Sequence, residues 1–444
     1  MKISKTPIGC ILMAVMVAIC LSVAGCSDDS NAIGKVEEDK DQDYNHDHDH
    51  EEGVLAWIWG YDADSGALTA YHSDGGRKRA TFAAHIHPKI KIAYAPSDSR
   101  PTLWMASGQM AQAFTTGFFP HMDHGHMATP EKHAALSEVH RPAHISVSPD
   151  GGKVIFANDE NSTLTVADAA SGEVTAVISH GSPHSAALMT NGGLLVTTHM
   201  SENWAKIVEV PTDKVLETID IGSGAHGDVH YPPTDQVFIA CVEGIEVIDP
   251  ASMTKVRRLD YPTDGRTSFL YHGGDNPVAV GLHNLMVDEE RRETDKILLL
   301  DMESETLEAL ALPGASVDWS NQYGRFAVSK DGKTAVLSDL NAANLYLVDI
   351  DPASANYKSV TTIPAPEPGV AVGAGAAGDH LFILSGDMAY PVDVMERRVR
   401  TEDGFSVKAG TDWIYVTSFS GELIDESVDK GDVIQNPEDQ TSET

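Results

Sequence analysis

Histidine and carboxylate gather at three places in the 444-residue chain. In YNHDHDHEEG, His46, His48 and His50 alternate with Asp47 and Asp49 and run into Glu51 and Glu52. In FFPHMDHGHMATPEKHAALSEVHRPAH, His121, Asp123, His124 and His126 form an HxxHxH segment, followed by His133, His140 and His144. The third grouping is spread out: His144, His184 and His226 stand 40 and 42 residues apart, at one position of three successive repeats. Imidazole nitrogen and carboxylate oxygen are the donors of first-row divalent metals, zinc above all, at nitrogen–metal distances of about 2.0–2.1 Å. The chemistry to look for is therefore metal binding.

The repeats say what must position these groups. HISVSPDGGKVIFANDENSTLTVADAASGEVTAVI from His144 is echoed from His184 and His226, and more loosely from Arg325 and Gly375. Each copy reads as strand, Asp/Gly turn, a Val- and Ile-rich strand, turn, a strand ending in V-x-D, turn, strand. Repeats of about 40–50 residues with four strands each specify a β-propeller of antiparallel blades. No 3.6-residue period is sustained, which excludes a helical solenoid. Inner strands are expected to begin near Ile90, His144, His184, His226, Thr267, Arg325, Val370 and Val407, which counts to eight blades. The N-terminal run VLAWIWGYDADSGALTAY must pair with the C-terminal DWIYVTSFSGELIDE to close the ring. Because the ends share a blade in a way the pattern leaves open, seven stands beside eight. The chain divides into a leader (1–25), an acidic His-rich tether (26–53), the propeller (54–425) and a disordered acidic tail (426–444).

Inner strands line the central channel, so His144, His184 and His226 are expected at one rim of it. The residues three positions on, Val147, Ala187 and Val229, are expected to start those strands. The other copies carry Thr267 and Arg325 there, so the histidines are not generic to the repeat. The HxxHxH segment is expected in a long insertion between one blade's strands and the next, and a fourth ligand from it, with His124 or Asp123 the candidates and His121 and His126 beside them. His140 and His180, each four residues ahead of a rim histidine, are candidates to support the ligands or replace them. His199, His272, His283 and His380 read as structural. Met122 and Met127 flank the HxxHxH segment and suit Cu(I), but no Met-x-x-Met array accompanies them, so zinc is preferred to copper. The exposed HDHDH stretch reads as a weaker, flexible metal hook.

The first residues, MKISKTPIGCILMAVMVAICLSVAGC, have a basic start at Lys2 and Lys5, an apolar run from Ile8 to Val23, and small residues before Cys26. That is the pattern of a bacterial lipoprotein signal, with Cys26 the lipidated residue. Ser27 follows it, which favours the outer membrane and places the body in the periplasm or on the cell surface. Cys10 and Cys20 leave with the leader, so Cys241 remains alone and no disulfide framework is available. In the apolar strand QVFIACVEG it reads as a small core residue. The net charge of −35 excludes nucleic acid as a partner and favours cationic ligands.

The order of these features resembles the periplasmic zinc metallochaperones of the AztD type. The resemblance runs from about His46 to Asp425. It is carried by the His/Asp tail, the His121–His126 insertion, the R-P-x-H of Arg141–His144, Pro183-His184, the H-G-D of His226–Asp228, and the ACVEGIEVID strand pair. It implies a carrier, not an enzyme. Such a carrier binds zinc in its propeller at His124, His144, His184 and His226, is assisted by the tail at His46, His48 and His50, and hands the ion to the substrate-binding protein of a zinc ABC transporter. Cys26 departs from the soluble members of that family. The competing readings are a metal-dependent hydrolase or lactonase, with Asp123, Asp228 or Glu243 as acid or base, and a surface interaction propeller without metal.

Overall fold

Short runs of Val, Ile, Leu and aromatic residues, cut every five to seven positions by Asp, Gly, Ser or Pro, leave room only for short antiparallel strands. The computed structural model describes residues 56–84, 90–96, 100–121, 124–287, 290–317, 319–322, 324–375, 380–418 and 423–425. Cys26 and the HDHDH stretch lie outside the described residues. Eight four-stranded antiparallel blades form a β-propeller.

Blade one is built from both ends of the chain. Its inner strand is Trp413–Ser418, and Ala56–Asp62, Ala67–His72 and Lys78–Ala83 follow outward. The pairing runs from Ala56↔Ser418 to Tyr61↔Trp413, and Trp59 Nε1 donates to Thr417 Oγ1 at 2.8 Å across the seam. This is the expected ring closure, and it decides for eight blades over seven. The inner strands of blades two to eight are Lys91–Ala95, Pro142–Val147, Ala187–Met189, Asp228–Tyr231, Arg266–Tyr271, Phe326–Val328 and Ala371–Ala374. They fall close to the expected starts, with one difference. Val147 ends its strand instead of starting it, because the strand begins at Pro142 and a register shift between Pro142 and His144 takes up the extra residues.

The aspartate that ends these strands, in a V-x-D at Asp168 and Asp249, has a local cause. Asp168, Asp249, Asp301, Asp349 and Asp393 each close the third strand of a blade, and their carboxylates accept backbone N–H groups two or three residues on, at 2.7–3.1 Å. The side chain thus satisfies amides that the turn would leave unpaired. The residue four positions after the acid takes a left-handed conformation in most copies, as at Gly172, Met253, Glu305 and Arg397.

The core is distributed. Each of eight buried clusters lies between two neighbouring blades. Ile155, Leu164 and Val166 of blade three, for example, pack on Met189, Leu195 and Val208 of blade four. Every blade is therefore buried on both faces, and loops at the channel end are held by rigid strands. Cys241 sits in one of these clusters as a buried free thiol, and burial pushes its pKa up to about 12. No helix among the described residues is long and apolar enough to cross a membrane.

The His121–His126 segment lies elsewhere than expected. It belongs inside blade two, between the third strand Met110–Thr115 and the outer strand Glu131–Leu136, not between blades. It is a hairpin of Phe118–His121 and His124–Met127, with His121 paired to His124. The C-terminal strand Leu423–Asp425 adds to it in parallel, Ile424 opposite His126.

Candidate metal centre

Three consecutive blades deliver one histidine each to a single point. His144 is in the inner strand of blade three, whereas His184 and His226 lie in the segments leading into the inner strands of blades four and five. Their ligand atoms all lie within 4.8 Å of one another. The ring centroids are 5.1 Å apart for His144 and His184, 5.3 Å for His144 and His226, and 4.9 Å for His184 and His226. The two Nε2 atoms of His184 and His226 are 2.9 Å apart.

Each imidazole is fixed differently. The Nδ1–H of His226 donates to the carbonyl oxygen of Ser268 at 2.8 Å, which leaves its Nε2 as a lone-pair donor. Phe269 packs its edge on the same ring, centroid to centroid at 4.8 Å. His184 takes a left-handed backbone, φ 58°, a region in which a non-glycine residue is uncommon. Its N–H donates to Asp159 Oδ1 at 2.5 Å, and Asp159 Oδ2 lies 3.7 Å from its Nδ1. One carboxylate thus holds both the strained backbone and the ring, as outer partners of metal ligands do. His144 Nε2 is shut off from solvent and has no hydrogen-bond partner. A buried polar nitrogen without a partner is costly, and an ion at this point would supply one.

The electrostatics keep His144 and His226 neutral. Burial, reinforced by the neighbouring imidazoles of His226 and His184 and by the Lys91 ammonium, holds the His144 pKa well below the usual 6.5. Burial takes His226 down to about 4, although its bond to Ser268 opposes the shift. Neutral imidazoles whose nitrogens converge fit a zinc ion: tetrahedral ligands at the usual bond length are about 3.3 Å apart, little more than the closest pair here. Three such ligands leave one position open.

Other expected residues fall elsewhere. His140 Nδ1 faces Gln109 Oε1 at 3.1 Å, and His180 Nε2 faces the Asp213 carbonyl at 3.1 Å, so neither is directed at the three rings. Asp159 and the Ser268 carbonyl have the supporting place instead. Asp123 lies outside the described residues, as do the side chains of His121, His124 and His126. Glu243 is engaged by Ser223, whose hydroxyl donates at 2.6 Å and whose N–H donates at 2.8 Å. Asp228, two residues after His226, is half-buried with Oδ2 shut off from solvent and unpartnered, and desolvation raises its pKa to about 7. His199 Nδ1 accepts from the Ser201 N–H and His272 Nε2 faces the Asn276 carbonyl, while His283 bonds Thr263 and His380 bonds Ser418 of blade one.

No protein-family model matches the chain, and no curated protein matches it at a significant level. Among solved structures it is similar to apo AztD from Citrobacter koseri, with 17% identity, a TM-score of 0.66, and coverage of 83% of this chain and 100% of that one. A second structure of Citrobacter koseri AztD has 18% identity, a TM-score of 0.66, and coverage of 84% and 100%. The dihydro-heme d1 dehydrogenase NirN is more distant, at 12% identity, a TM-score of 0.56, and coverage of 81% and 74%. At these identities the likeness is one of fold, and the chain shares with AztD its β-propeller architecture.

Proposed function

We propose that this protein is a zinc carrier of the periplasm or cell surface. It captures the ion at His144, His184 and His226 and passes it to the substrate-binding protein of a zinc ABC transporter. The observation that carries the reading is the convergence of three imidazoles on rigid elements, with His144 Nε2 otherwise unpartnered. The fold likeness to AztD supports it. A carrier needs a site tight enough to hold zinc and an approach by which a partner can take it. Three ligands with an open fourth position allow the partner to attach before the carrier lets go. The strands pre-arrange the ligands, so little ordering entropy opposes binding. The tail histidines His46, His48 and His50 would bind more weakly and raise the local zinc concentration, and Cys26 would carry the lipid that keeps the protein at the membrane. The chain is proposed as a carrier rather than an enzyme.

The test is direct transfer. Zinc-loaded protein is mixed with a metal-free zinc-binding protein of such a transporter in the presence of a chelator that traps free zinc. Appearance of zinc on the acceptor, undiminished by chelator, supports the reading. Loss of all zinc to the chelator overturns it.

A further inference from the structure

A cleft of about 840 Å³ opens in blade six. Thr263 and Asp264 precede the inner strand of this blade as His226 precedes that of blade five, and Glu293, Thr294 and Asp295 lead into its third strand. The cleft therefore opens at the end of the propeller that carries the three histidines, and it shares no residue with them. Its volume is that of a small-molecule site.

Acceptors dominate its wall. Asp264, Glu293 and Asp295 line it, and Lys296 is the one cation among the described lining residues. Glu293 is held by the Ser316 hydroxyl and by Asn341 Nδ2, both donating to Oε2, which leaves Oε1 without a partner among the described residues. The carboxylates of Asp264 and Asp295 have no hydrogen bond or ion pair with any described residue, and Lys296 forms no ion pair with them.

His283 walls the same cleft, is only 3% exposed, and has a buried Nδ1 without a hydrogen-bond partner. Its Nε2 faces the Thr263 hydroxyl at 2.9 Å, and that hydroxyl can accept, which leaves Nδ1 a lone pair. Burial, with the Lys296 ammonium, holds the ring's pKa below 6.5 against the opposing charge of Asp295, so the ring is neutral. A buried nitrogen without a partner is costly, and an N–H from a ligand would supply one.

These acceptors do not converge. The ligand atoms of His144, His184 and His226 lie within 4.8 Å of one another, and no such group of three forms among Asp264, His283, Glu293 and Asp295. A single metal ion does not reach them together in this arrangement, whereas ammonium groups spaced along a flexible chain do. Charge-assisted N–H bonds to carboxylate are the strong ones. We propose that this cleft binds a linear aliphatic amine with two or more ammonium groups, anchored by Asp264, Glu293 and Asp295, with His283 Nδ1 as a further acceptor.

The experiment is isothermal titration calorimetry of spermidine into the full mature protein at about 0.15 M salt, where exposed charges more than about 8 Å apart are screened. One saturable site is expected. Asp264→Asn with Asp295→Asn should weaken it about tenfold, and His283→Leu severalfold, with thermal melts showing that the variants fold. Glu217→Gln with Asp220→Asn removes the same charge from exposed positions on the outer strand of blade four and should change the affinity less than about twofold. Butylamine, with a single ammonium group, should bind about tenfold more weakly. The inference is overturned if no saturable binding is seen, if the first pair weakens it no more than the second, if His283→Leu leaves it undiminished, or if an equal concentration of calcium displaces spermidine. Zinc content of the Asp264→Asn, Asp295→Asn protein should match that of the native chain, so this inference and the carrier fail separately.

Discussion

His184 Nε2 and His226 Nε2 lie 2.9 Å apart, each carried by the segment that enters the inner strand of its own blade. With His226 Nδ1–H committed to Ser268, its Nε2 can only accept: in the metal-free protein His184 Nε2–H donates to it, and a cation bound by both nitrogens would replace that proton. The ligand set therefore depends on two independent blades keeping their relative placement. Their packing through Val196, Ile207, Val237 and Ile239 provides this.

Removing one ring should remove tight binding without unfolding the propeller. His184→Asn is the informative change, because Asn tolerates the left-handed backbone that Ala would strain. Zinc affinity is expected to fall by more than about 100-fold, beyond what loss of an outer partner costs. The far-ultraviolet circular dichroism and the Tm of the metal-free protein should stay near those of the native chain. Competition titration with a zinc-sensitive dye checks the first expectation and a thermal melt the second.

Asp159 should act on zinc through His184 alone. Asp159→Ala leaves all three imidazoles in place but frees the His184 backbone and Nδ1. The expected loss of zinc affinity is about 10–100-fold. A supporting role for His140 or His180 would give a comparable loss in their alanine variants, whereas their contacts to Gln109 and Asp213 lead us to expect no change.

His144 offers a test through stability. His144→Leu replaces a buried nitrogen without a partner by an apolar group. The cost of such a nitrogen is about 1–3 kcal/mol, so the metal-free variant should be at least as stable as the native protein. Zinc raises the Tm of the native chain by binding only the folded state, and this rise should vanish in the variant. Denaturant melts with and without zinc measure both effects.

Proton competition should appear at lower pH than ordinary histidine would give. Metal binding requires neutral imidazole, so affinity is lost as pH falls through the ligands' own pKa. His226 is lowered from 6.5 to about 4 by burial, and His144 also lies below 6.5. Zinc at the rim should thus persist at pH 6 and leave between there and about 4. The sign for folding is the same. Groups that resist protonation only when folded contribute stability that is complete above 6.5 and lost as pH falls toward the folded value. Residues 26–53, read from the sequence as a flexible tether, should release their zinc at a higher pH than the rim. Deleting them should erase an upper phase of release and leave the lower one.

The repeat made most of the fold legible. Strand, turn and closing aspartate recur because each blade needs the same turn chemistry, and the aspartates at 168, 249, 301, 349 and 393 supply it. The same periodicity placed His144, His184 and His226 together, since equal positions in adjacent blades share one end of the channel. What holds those rings was not legible. Asp159 reaches His184 from 25 residues away, in a turn of the preceding blade, and the Ser268 carbonyl reaches His226 from 42, in the inner strand of the following blade. No local motif marks such contacts, and a backbone carbonyl leaves no trace in side-chain chemistry. Proximity along the chain pointed to His140 and His180, which face other partners. The insertion was read as a loop between blades because its His-rich composition hides strand alternation. Its pairing with Leu423–Asp425 joins segments from opposite ends of the domain.

Whether the three histidines hold zinc is decided by the zinc content of the purified mature protein after dialysis, for the native chain, for His144→Leu with His184→Asn, and for a chain lacking residues 26–53. One tightly held zinc is expected in the native and truncated proteins and none in the double variant. Zinc retained by the double variant, or absent from the native protein, would contradict it.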